Sequence, residues 1–359
     1  MKRKILALLL ALSLVLVMLA GCNGDSGTAG SNSSSDPAET FTLIVSLTKG
    51  QKNTTALQDY LASIEKDSNG RIKFEIFYSG SLLKVPEIPQ GLTSGVCDIS
   101  EFILAEFPTI FPLNSTILGL PFIGMSQDSG GVYRQLLEEF PEMQEEYTNA
   151  GMVMLNYLVT LPYNLHLTTD REVKVPSDLR GLKIITTRKD IASIIQDNGG
   201  APVSMEPGEY YSSMEKGVVD GTVLHFPMMF NAGLIPLCKQ HVMVSERGGI
   251  YSDISAYVMS ANTWNKLPAD LQALFTDEER VAKFFQDDVV LLKSYHDKSM
   301  EAIKENGNKI VYLTDEEIAQ WQAAAAATIE ASLAELDAQG LPATQIYERA
   351  LELIAEANS

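Results

Sequence analysis

"GLKIITTRKD", residues 181–190, begins as an apolar strand and ends in two threonines, an arginine, a lysine and an aspartate. The stretch that follows, "DIASIIQDNGG" (190–200), repeats isoleucine at helical spacing, and "APVSM" (201–205) predicts another short strand. A strand, a helix and a strand in this order predict a parallel sheet with crossover helices. Ligands bind beyond the carboxyl ends of such strands, because helix N-termini and unpaired backbone N–H groups converge there. We therefore expect the polar end of the quoted stretch to face a ligand.

The first half of the chain has the same order of elements. "FTLIVSL" (41–47) and "RIKFEIF" (71–77) predict strands on either side of a helix over 55–70, and "GVCDIS" (95–100) predicts a third strand. That last phrase matches "GVVDGT" (217–222) in position and pattern. The sequence therefore predicts an α/β fold of two lobes, each with a mostly parallel sheet and flanking helices.

Composition divides the chain into five segments. Near the C-terminus, a capping box of Thr314 and Glu317 precedes an alanine-rich helix that we expect to pack against the lobes or bridge them. The predicted segments are a lipoprotein signal peptide at 1–21, a lipidated flexible tether at 22–40, lobe I at 41–165, lobe II at 166–255, and a return segment with helices that complete lobe I and bridge the lobes at 256–359.

The N-terminus has the pattern of an export signal. Three cationic residues precede an apolar run from Ile5 to Ala20, which is shorter than the roughly 18 residues that span a membrane. The run ends in Leu-Ala-Gly-Cys (19–22), which resembles the lipobox of bacterial lipoproteins. Cys22 is the predicted site of lipidation (diacylglycerol and palmitate), so we expect an extracytoplasmic protein held by lipid at the bacterial cell membrane. The alternative is an ordinary cleaved signal with a chance cysteine.

Charge and missing motifs argue against several functions. The net charge of −19 becomes −22 when residues 1–21, with three positive charges, are removed, so nucleic acid and anionic lipid would repel the chain. The sequence has no HExxH, CxxC, phosphate loop, GxGxxG or GxSxG, and we expect no metal site, no cofactor and no enzyme activity. Cys97 and Cys238 are expected to be small buried hydrophobes, with a disulfide as the alternative.

The ends of the predicted strands supply candidate ligand-binding residues in both lobes. Because the two lobes are expected to face each other, these ends would line one cleft. The predicted ligand-binding residues are Arg188, His225, Phe226, Arg247, Tyr163, Asn164, Thr187, Glu101, Phe102 and Thr48.

Seven phrases in order resemble those of one known family. They are "NGRIKFEIF", "GLTSGVCDIS", "GLPFI", "VPSDLRGLKI", "GGAPVSM", "EKGVVDGTV" and "NTWNKLPADLQALF", at the approximate spacing seen in DctP-like solute-binding proteins of tripartite ATP-independent periplasmic (TRAP) transporters. The resemblance runs from about Phe41 to about Phe275. It implies two α/β lobes, a long bridging helix and closure around one small molecule, usually an organic acid. It also implies delivery to integral membrane permease subunits.

Position 185 departs from the pattern of that family. The family usually places an arginine after Gly-Leu-Lys-Ile, where it holds a ligand carboxylate through two parallel hydrogen bonds, whereas this chain has Ile185. Either another cation, Arg188 or Arg247, holds a carboxylate, or the ligand has none at that position. Tyr163 and Phe226 would make the pocket more aromatic than usual, which favours an aromatic or other ring-bearing solute.

The sequence is consistent with three functions. The first is an extracytoplasmic receptor that captures a small solute and delivers it to a TRAP-type secondary transporter. The second is a ligand-binding module that feeds a sensor kinase or an ATP-driven transporter. The third is an exported enzyme working in the cleft, against which the lack of a catalytic motif argues. The expected partners of the first are the solute, the permease subunits and, through the lipid anchor, the bilayer, but not nucleic acid.

Overall fold

The computed structural model of the chain describes residues 39–47, 55–126, 130–245 and 248–357. The predicted signal peptide, the tether with Cys22, Thr48 and Arg247 all lie outside these residues. Within the described ranges, no helix combines the length and the apolar character needed to cross a membrane.

Eleven strands of the described residues form two sheets. In chain order they are β1 (Phe41–Leu47), β2 (Ile72–Phe77), β3 (Ile99–Ile103), β4 (Met152–Val159), β5 (Tyr163–Leu167), β6 (Lys183–Ile185), β7 (Ala201–Val203), β8 (Gly221–His225), β9 (Gln240–Met243), β10 (Ile254–Ser260) and β11 (Lys309–Tyr312). Sheet I has the order β2-β1-β3-β10-β4, and sheet II has the order β11-β9-β5-β8-β6-β7.

Each sheet has a parallel part built from strand–helix–strand units. In sheet I, β1 is parallel to β2 and β3; in sheet II, β6 is parallel to β7 and β8. The antiparallel partners are β10 in sheet I and β5 in sheet II, which directly follow the segments where the chain changes sheet. The predicted two-lobe α/β fold is confirmed, and each sheet is mixed because the strand that returns to a lobe enters in the opposite direction.

Thirteen helices cover the sheets within the described residues. They are α1 (Thr55–Asp67), α2 (Ile88–Ser94), α3 (Pro112–Thr116), α4 (Gly131–Glu139), α5 (Pro141–Asn149), α6 (Lys189–Asp197), α7 (Tyr210–Glu215), α8 (Phe226–Asn231), α9 (Ala261–Trp264), α10 (Ala269–Thr276), α11 (Glu278–Asn306), α12 (Asp315–Asp337) and α13 (Ala343–Ala357).

Two long helices bridge the lobes. Helix α11 packs Phe284 into the core beneath sheet I and Ile303 into a core beneath sheet II. Helix α12 runs the other way, with Trp321 in the sheet II core and Leu333 in the sheet I core. The capping box predicted at the start of α12 is present, since Thr314 accepts from the Glu317 N–H and Glu317 accepts from the Thr314 N–H. The predicted bridging helix is therefore confirmed, and the alanine-rich helix is a second one.

The repeated phrase forms the same turn in both lobes. Gly95 and Gly217 end their helices with φ of 78° and 65°, a left-handed conformation that favours glycine. Four residues farther on, strand pairing begins, so β3 and β8 start at Ile99 and Gly221 rather than at 95 and 218 as predicted. The glycine turn explains the difference, because the first residues of each phrase close a helix before the strand starts.

An aspartate follows the turn and ties it to the neighbouring strand. The Asp98 carboxylate accepts from the Ile44 N–H at 2.8 Å, and the Asp220 carboxylate accepts from the Lys183 N–H at 2.8 Å. In both lobes the aspartate N–H also donates to the carbonyl of that same residue. The two phrases are therefore equivalent in structure as well as in sequence.

Two antiparallel segments connect the sheets. The chain leaves sheet I after Val159 and enters sheet II at Tyr163, and it returns between Met243 and Ile254. The Tyr163 N–H donates to the Tyr251 carbonyl at 2.8 Å, and the Thr160 N–H donates to the Asp253 carbonyl at 2.8 Å. We call residues 160–163 and 250–253 the hinge segments. Strand membership thus places the change of sheet slightly before the predicted boundary at 165–166.

Both cysteines of the described residues are free and buried. Cys97 lies in a core of lobe I and Cys238 in a core of lobe II. Burial raises the pKa of each thiol to about 12, so neither is a thiolate at neutral pH. The prediction that they are small buried hydrophobes is confirmed.

Candidate functional site

A cavity of about 870 Å³ lies between the lobes, at the edge where strand ends meet. Its walls come from the carboxyl ends of β3 and β6, from the hinge segments and from the last turns of α12. The polar end of the stretch quoted first reaches it, because Thr187, Arg188, Lys189 and Asp190 all line the cavity. This end therefore lies at an open cleft, and that it meets a ligand there stays a prediction.

Arg188 is bound to the protein itself through four of its five N–H groups. Its Nε and Nη2 donate to the Asp190 carboxylate at 3.0 and 2.6 Å, and its Nη1 donates to Asp253 at 2.9 Å. Nη2 also donates to the Gly119 carbonyl, in lobe I, at 2.8 Å. The three charged side chains are 7–13% exposed. A ligand carboxylate would have to displace an aspartate to obtain two parallel bonds from this guanidinium.

A column of rings extends from Arg188 along the hinge. The guanidinium carbon lies 4.6 Å from the centre of the Tyr251 ring. Tyr251 stacks on Tyr163 with 4.3 Å between the ring centres. Tyr163 contacts His225 edge to face, with 4.9 Å between the ring centres. Burial raises the pKa of both tyrosines well above the ordinary value, so they stay neutral. Since Tyr163 and Tyr251 also line the cavity while their faces are covered within the column, they contribute a narrow, uncharged aromatic edge to one wall.

Three of the predicted ligand-binding residues line this cavity: Tyr163, Thr187 and Arg188. Glu101 lies on the side of sheet I that faces α11, where it accepts from the Ser255 hydroxyl at 2.7 Å. His225 caps α8, since its Nδ1 accepts from the Met228 N–H at 3.2 Å. Both are close to strand ends, as predicted, but neither belongs to the walls of this cavity.

The other predicted residues within the described ranges belong to cores. Phe102 is fully buried, and its ring centre lies 5.0 Å from that of Phe107. Phe226 is 2% exposed, and its ring centre lies 5.2 Å from that of His166. Asn164 is also fully buried, with no partner for its side-chain oxygen. The prediction selected residues near strand ends without regard to the face of the sheet on which their side chains lie. Because adjacent side chains of a strand point to opposite faces, the prediction also included residues that face inward.

The sequence reading missed Tyr251 and Asp253, which supply one ring and one carboxylate of the site. Both lie just before β10, whereas the prediction of ligand-binding residues considered only residues that follow a strand. Strand β10 is antiparallel to β3, with Ser255 opposite Ile103, so its beginning lies at the same edge as the end of β3. Only knowledge of that pairing would have identified them. Glu335 in α12, which also lines the cavity, was missed for the same reason of long-range contact, and Glu106 was missed because β3 ends at Ile103, three residues later than predicted.

A buried pair of histidines lies beside the end of β8. His166 Nδ1 lies 2.7 Å from His241 Nδ1, and His166 Nε2 lies 3.0 Å from the Leu224 carbonyl. Because that carbonyl only accepts, His166 carries its hydrogen on Nε2, and His241 donates to Nδ1. Burial lowers the pKa of His166 to about 4 and that of His241 to about 2. Both rings are therefore neutral. No cluster suited to a metal ion occurs among the described residues.

Residues 45–336 match the family described as bacterial extracellular solute-binding protein, family 7 (DctP). A solute-binding protein of Chromohalobacter salexigens is 27% identical over 183 residues, which is 50% of this chain and about half (53%) of that protein. The C4-dicarboxylate-binding periplasmic protein DctP of Rhodobacter capsulatus is 26% identical over 265 residues, covering 72% of this chain and 75% of that one.

Solved structures show the same fold. A marine metagenome TRAP solute-binding protein specific for aromatic acid ligands, in complex with metahydroxyphenylacetate, superimposes with a TM-score of 0.77 at 19% identity. The superposition covers 89% of this chain and 99% of that one. The two lobes, the bridging helices and the cleft therefore form a known arrangement.

Proposed function

This chain belongs to family 7 of the bacterial extracellular solute-binding proteins, and from that premise we propose that it captures one small solute between its lobes and delivers it to the permease of a TRAP-type transporter. The observation that carries the proposal is the cavity of about 870 Å³ at the hinge, with walls from both lobes. A solute that contacts both walls stabilises the arrangement in which the lobes meet. The permease would recognise that arrangement, and the chain itself would perform no chemistry.

A ring-bearing solute fits the cleft best. The edges of the stacked rings Tyr163 and Tyr251 give the wall an uncharged aromatic strip beside the polar strand end at Thr187, against which a ring can pack edge to face. The structural relative that binds an aromatic acid supports the same class. This aromatic edge is rigid, because both rings are held between Arg188 and His225, so the protein side chains lose little entropy when a ligand binds.

Arg188 would not hold a carboxylate of this solute. Its guanidinium already bonds Asp190 and Asp253, and exchanging one of these buried partners for a ligand would leave an unpaired buried charge. Of the two alternatives that Ile185 raises, the substitution of Arg188 for the missing arginine is thus disfavoured by its contacts. The ring and the polar groups of the solute, rather than a carboxylate held at Arg188, would supply most of the affinity.

Thermal unfolding of residues 36–359 with a panel of solutes tests the proposal. We expect 3-hydroxybenzoate and the uncharged benzamide to raise Tm, since a ligand at 100 times its Kd adds about 2.7 kcal/mol. Tyr251→Leu should reduce these shifts, and Tyr312→Leu, which changes a half-exposed ring on β11, is the matched control. Shifts confined to succinate and other aliphatic dicarboxylates, unchanged by Tyr251→Leu, would contradict the ligand class. No shift with any solute would contradict the receptor function.

We also propose that Cys22 carries the lipid that holds the chain at the membrane. The support is the sequence of residues 1–22, with its basic start, apolar run and Leu-Ala-Gly-Cys end. Cys22→Ser should abolish incorporation of labelled palmitate and move the protein from the membrane fraction to the soluble fraction. Unchanged labelling in that variant would exclude Cys22 as the site.

A further inference from the structure

An open groove lies between α12 and α13, on the outside of the molecule. It encloses about 690 Å³ and is distinct from the solute cavity. Its floor is apolar and consists of Phe122, Ile329, Leu333, Tyr347 and Leu351. Leu351 is 39% exposed, so this apolar floor is open to solvent. Such a groove is suited to the apolar side chains of a partner.

The rim of this groove is acidic. Glu330, Asp337 and Glu348 line it, and among the residues that the structure describes no lysine or arginine does. Arg349, next to Glu348 in sequence, is engaged with Glu139 and Glu352. A partner that places apolar side chains on the floor would therefore meet three carboxylates, which favour lysine and arginine at its edges.

The groove also spans the junction of the two lobes. Its Phe122 belongs to the lobe I segment after α3, yet the Phe122 N–H donates to the Ile250 carbonyl in the hinge, and its ring lies 6.2 Å from Trp321 in lobe II. Phe122 has a φ of 60°, a costly conformation for a non-glycine residue that these contacts hold in place. A partner bound in the groove would therefore sense how the lobes are arranged.

The chain itself offers no suitable occupant. Residues 23–38, which follow the predicted lipidation site, include no large apolar residue, and the apolar residues before them are predicted to be removed. A second processed copy would bring a net charge of −22 to an acidic rim, and an anionic lipid surface would be repelled as well. The remaining occupant is a foreign segment that is apolar on one face and basic on the other.

We propose that the groove between α12 and α13 docks a basic, amphipathic extracytoplasmic segment of the membrane permease. This inference rests on the proposed function for the existence of such a partner. Because the floor includes Phe122 and α12 runs from one lobe to the other, docking at this place couples the permease to the lobe arrangement that the solute stabilises.

Site-specific photo-crosslinking in the producing bacterium tests the docking. A photoreactive amino acid at position 351 should give an adduct with a membrane protein that has many spans. The same amino acid at position 96, an equally exposed apolar site of lobe I, should not. Glu330→Lys with Glu348→Lys should lower the adduct yield at least tenfold. Glu301→Lys with Glu305→Lys, the same charge change on an exposed face of α11, should leave it unchanged.

Three outcomes would overturn this inference: no adduct at position 351, an adduct with a second copy of the chain, or a yield that the Glu330→Lys and Glu348→Lys pair does not change. The solute affinity of the purified pair variant, measured by calorimetry, should stay within twofold of the unmodified chain. If the proposed function itself is wrong, no solute binds either protein. If only the docking site is wrong, solute binding persists and the pair variant supports uptake as well as the unmodified chain does.

Discussion

Ile185 shows, at the level of a single residue, why this chain has no ligand-binding cation at position 185. It is 1% exposed and packs in an apolar core of lobe II that includes Leu224 and Phe226. An arginine at this position would have to push a charge into that core, at a cost of several kcal/mol. Arg188, three residues farther on, is neutralised by two side chains of the protein, Asp190 and Asp253.

The buried histidine pair makes a prediction about pH. His166 and His241 stay neutral in the folded chain, whereas unfolded histidines take up protons below about pH 6.5. The unfolded state therefore binds more protons as the pH falls from 6.5 towards 4, and each histidine lowers stability by up to about 1.4 kcal/mol per pH unit. Urea unfolding at pH 8, 6 and 5 should show His241→Gln with a shallower loss of stability than the unmodified chain.

Other groups that titrate in this range make a matched comparison necessary. Burial and the nearby Glu101 raise the pKa of Asp288 to about 7, and this acts in the opposite direction, stabilising the fold as the pH falls. Asp288 is common to both proteins, so the difference between their curves isolates the histidine. His296→Gln, at a half-buried histidine of α11, should change the slope less. Parallel curves for His241→Gln and the unmodified chain would show that the pair does not stay neutral.

At the scale of elements, the repeated glycine–aspartate turn is expected to stabilise both lobes. Asp98→Ala and Asp220→Ala each remove a carboxylate that accepts a strand N–H, and a hydrogen bond of this kind contributes about 0.5–1.5 kcal/mol to stability. Asp98→Ala should cost more, because Asp98 also accepts from the Thr263 hydroxyl at 2.5 Å. The free energy of unfolding in urea measures both effects.

Asp197→Ala is the control for these two variants, since it removes an exposed carboxylate at the end of α6. It should change stability by less than about 0.5 kcal/mol. Faster amide exchange at Ile44 in the first variant and at Lys183 in the second would locate the loss at the predicted bond. Equal stability of all three variants would mean that the turn forms without the aspartates.

The order of β1 to β3 and of β6 to β8 could be predicted from the sequence, whereas the other five strands and the pairing of all strands could not. Apolar periodicity is a local signal, and it located β1 at 41–47 and α1 from residue 55. The antiparallel insertion of β10 depends on contacts with β3, about 150 residues away, which no local pattern encodes. The same holds for the site. Thr187 and Arg188 could be predicted because they directly follow a predicted strand, whereas Tyr251 and Asp253 could be predicted only by knowing how β10 pairs.

At the scale of the whole molecule, the lobes are held together by the hinge segments, by the two bridging helices and by a few contacts across the cleft. One such contact joins Gly119 of lobe I to Arg188 of lobe II. A solute that binds the arrangement described here stabilises it in proportion to its differential affinity, and any loss of lobe–lobe contact weakens binding by the same coupling. Affinity should therefore depend on residues that no solute touches.

Gly119→Ala tests this coupling most directly. A Cβ at this position would lie 2.8 Å from Nη1 of Arg188, which is too close, so the guanidinium has to move away from the Gly119 carbonyl and strain its bond to Asp253. We expect a Kd for a ring-bearing solute about tenfold weaker, which corresponds to about 1.4 kcal/mol. Gly131→Ala, where an added Cβ meets nothing within 4 Å, should leave Kd unchanged. Small-angle scattering of the unliganded Gly119→Ala protein should give a larger radius of gyration. If calorimetry finds the same Kd for both variants, the contact across the cleft does not contribute to holding the solute.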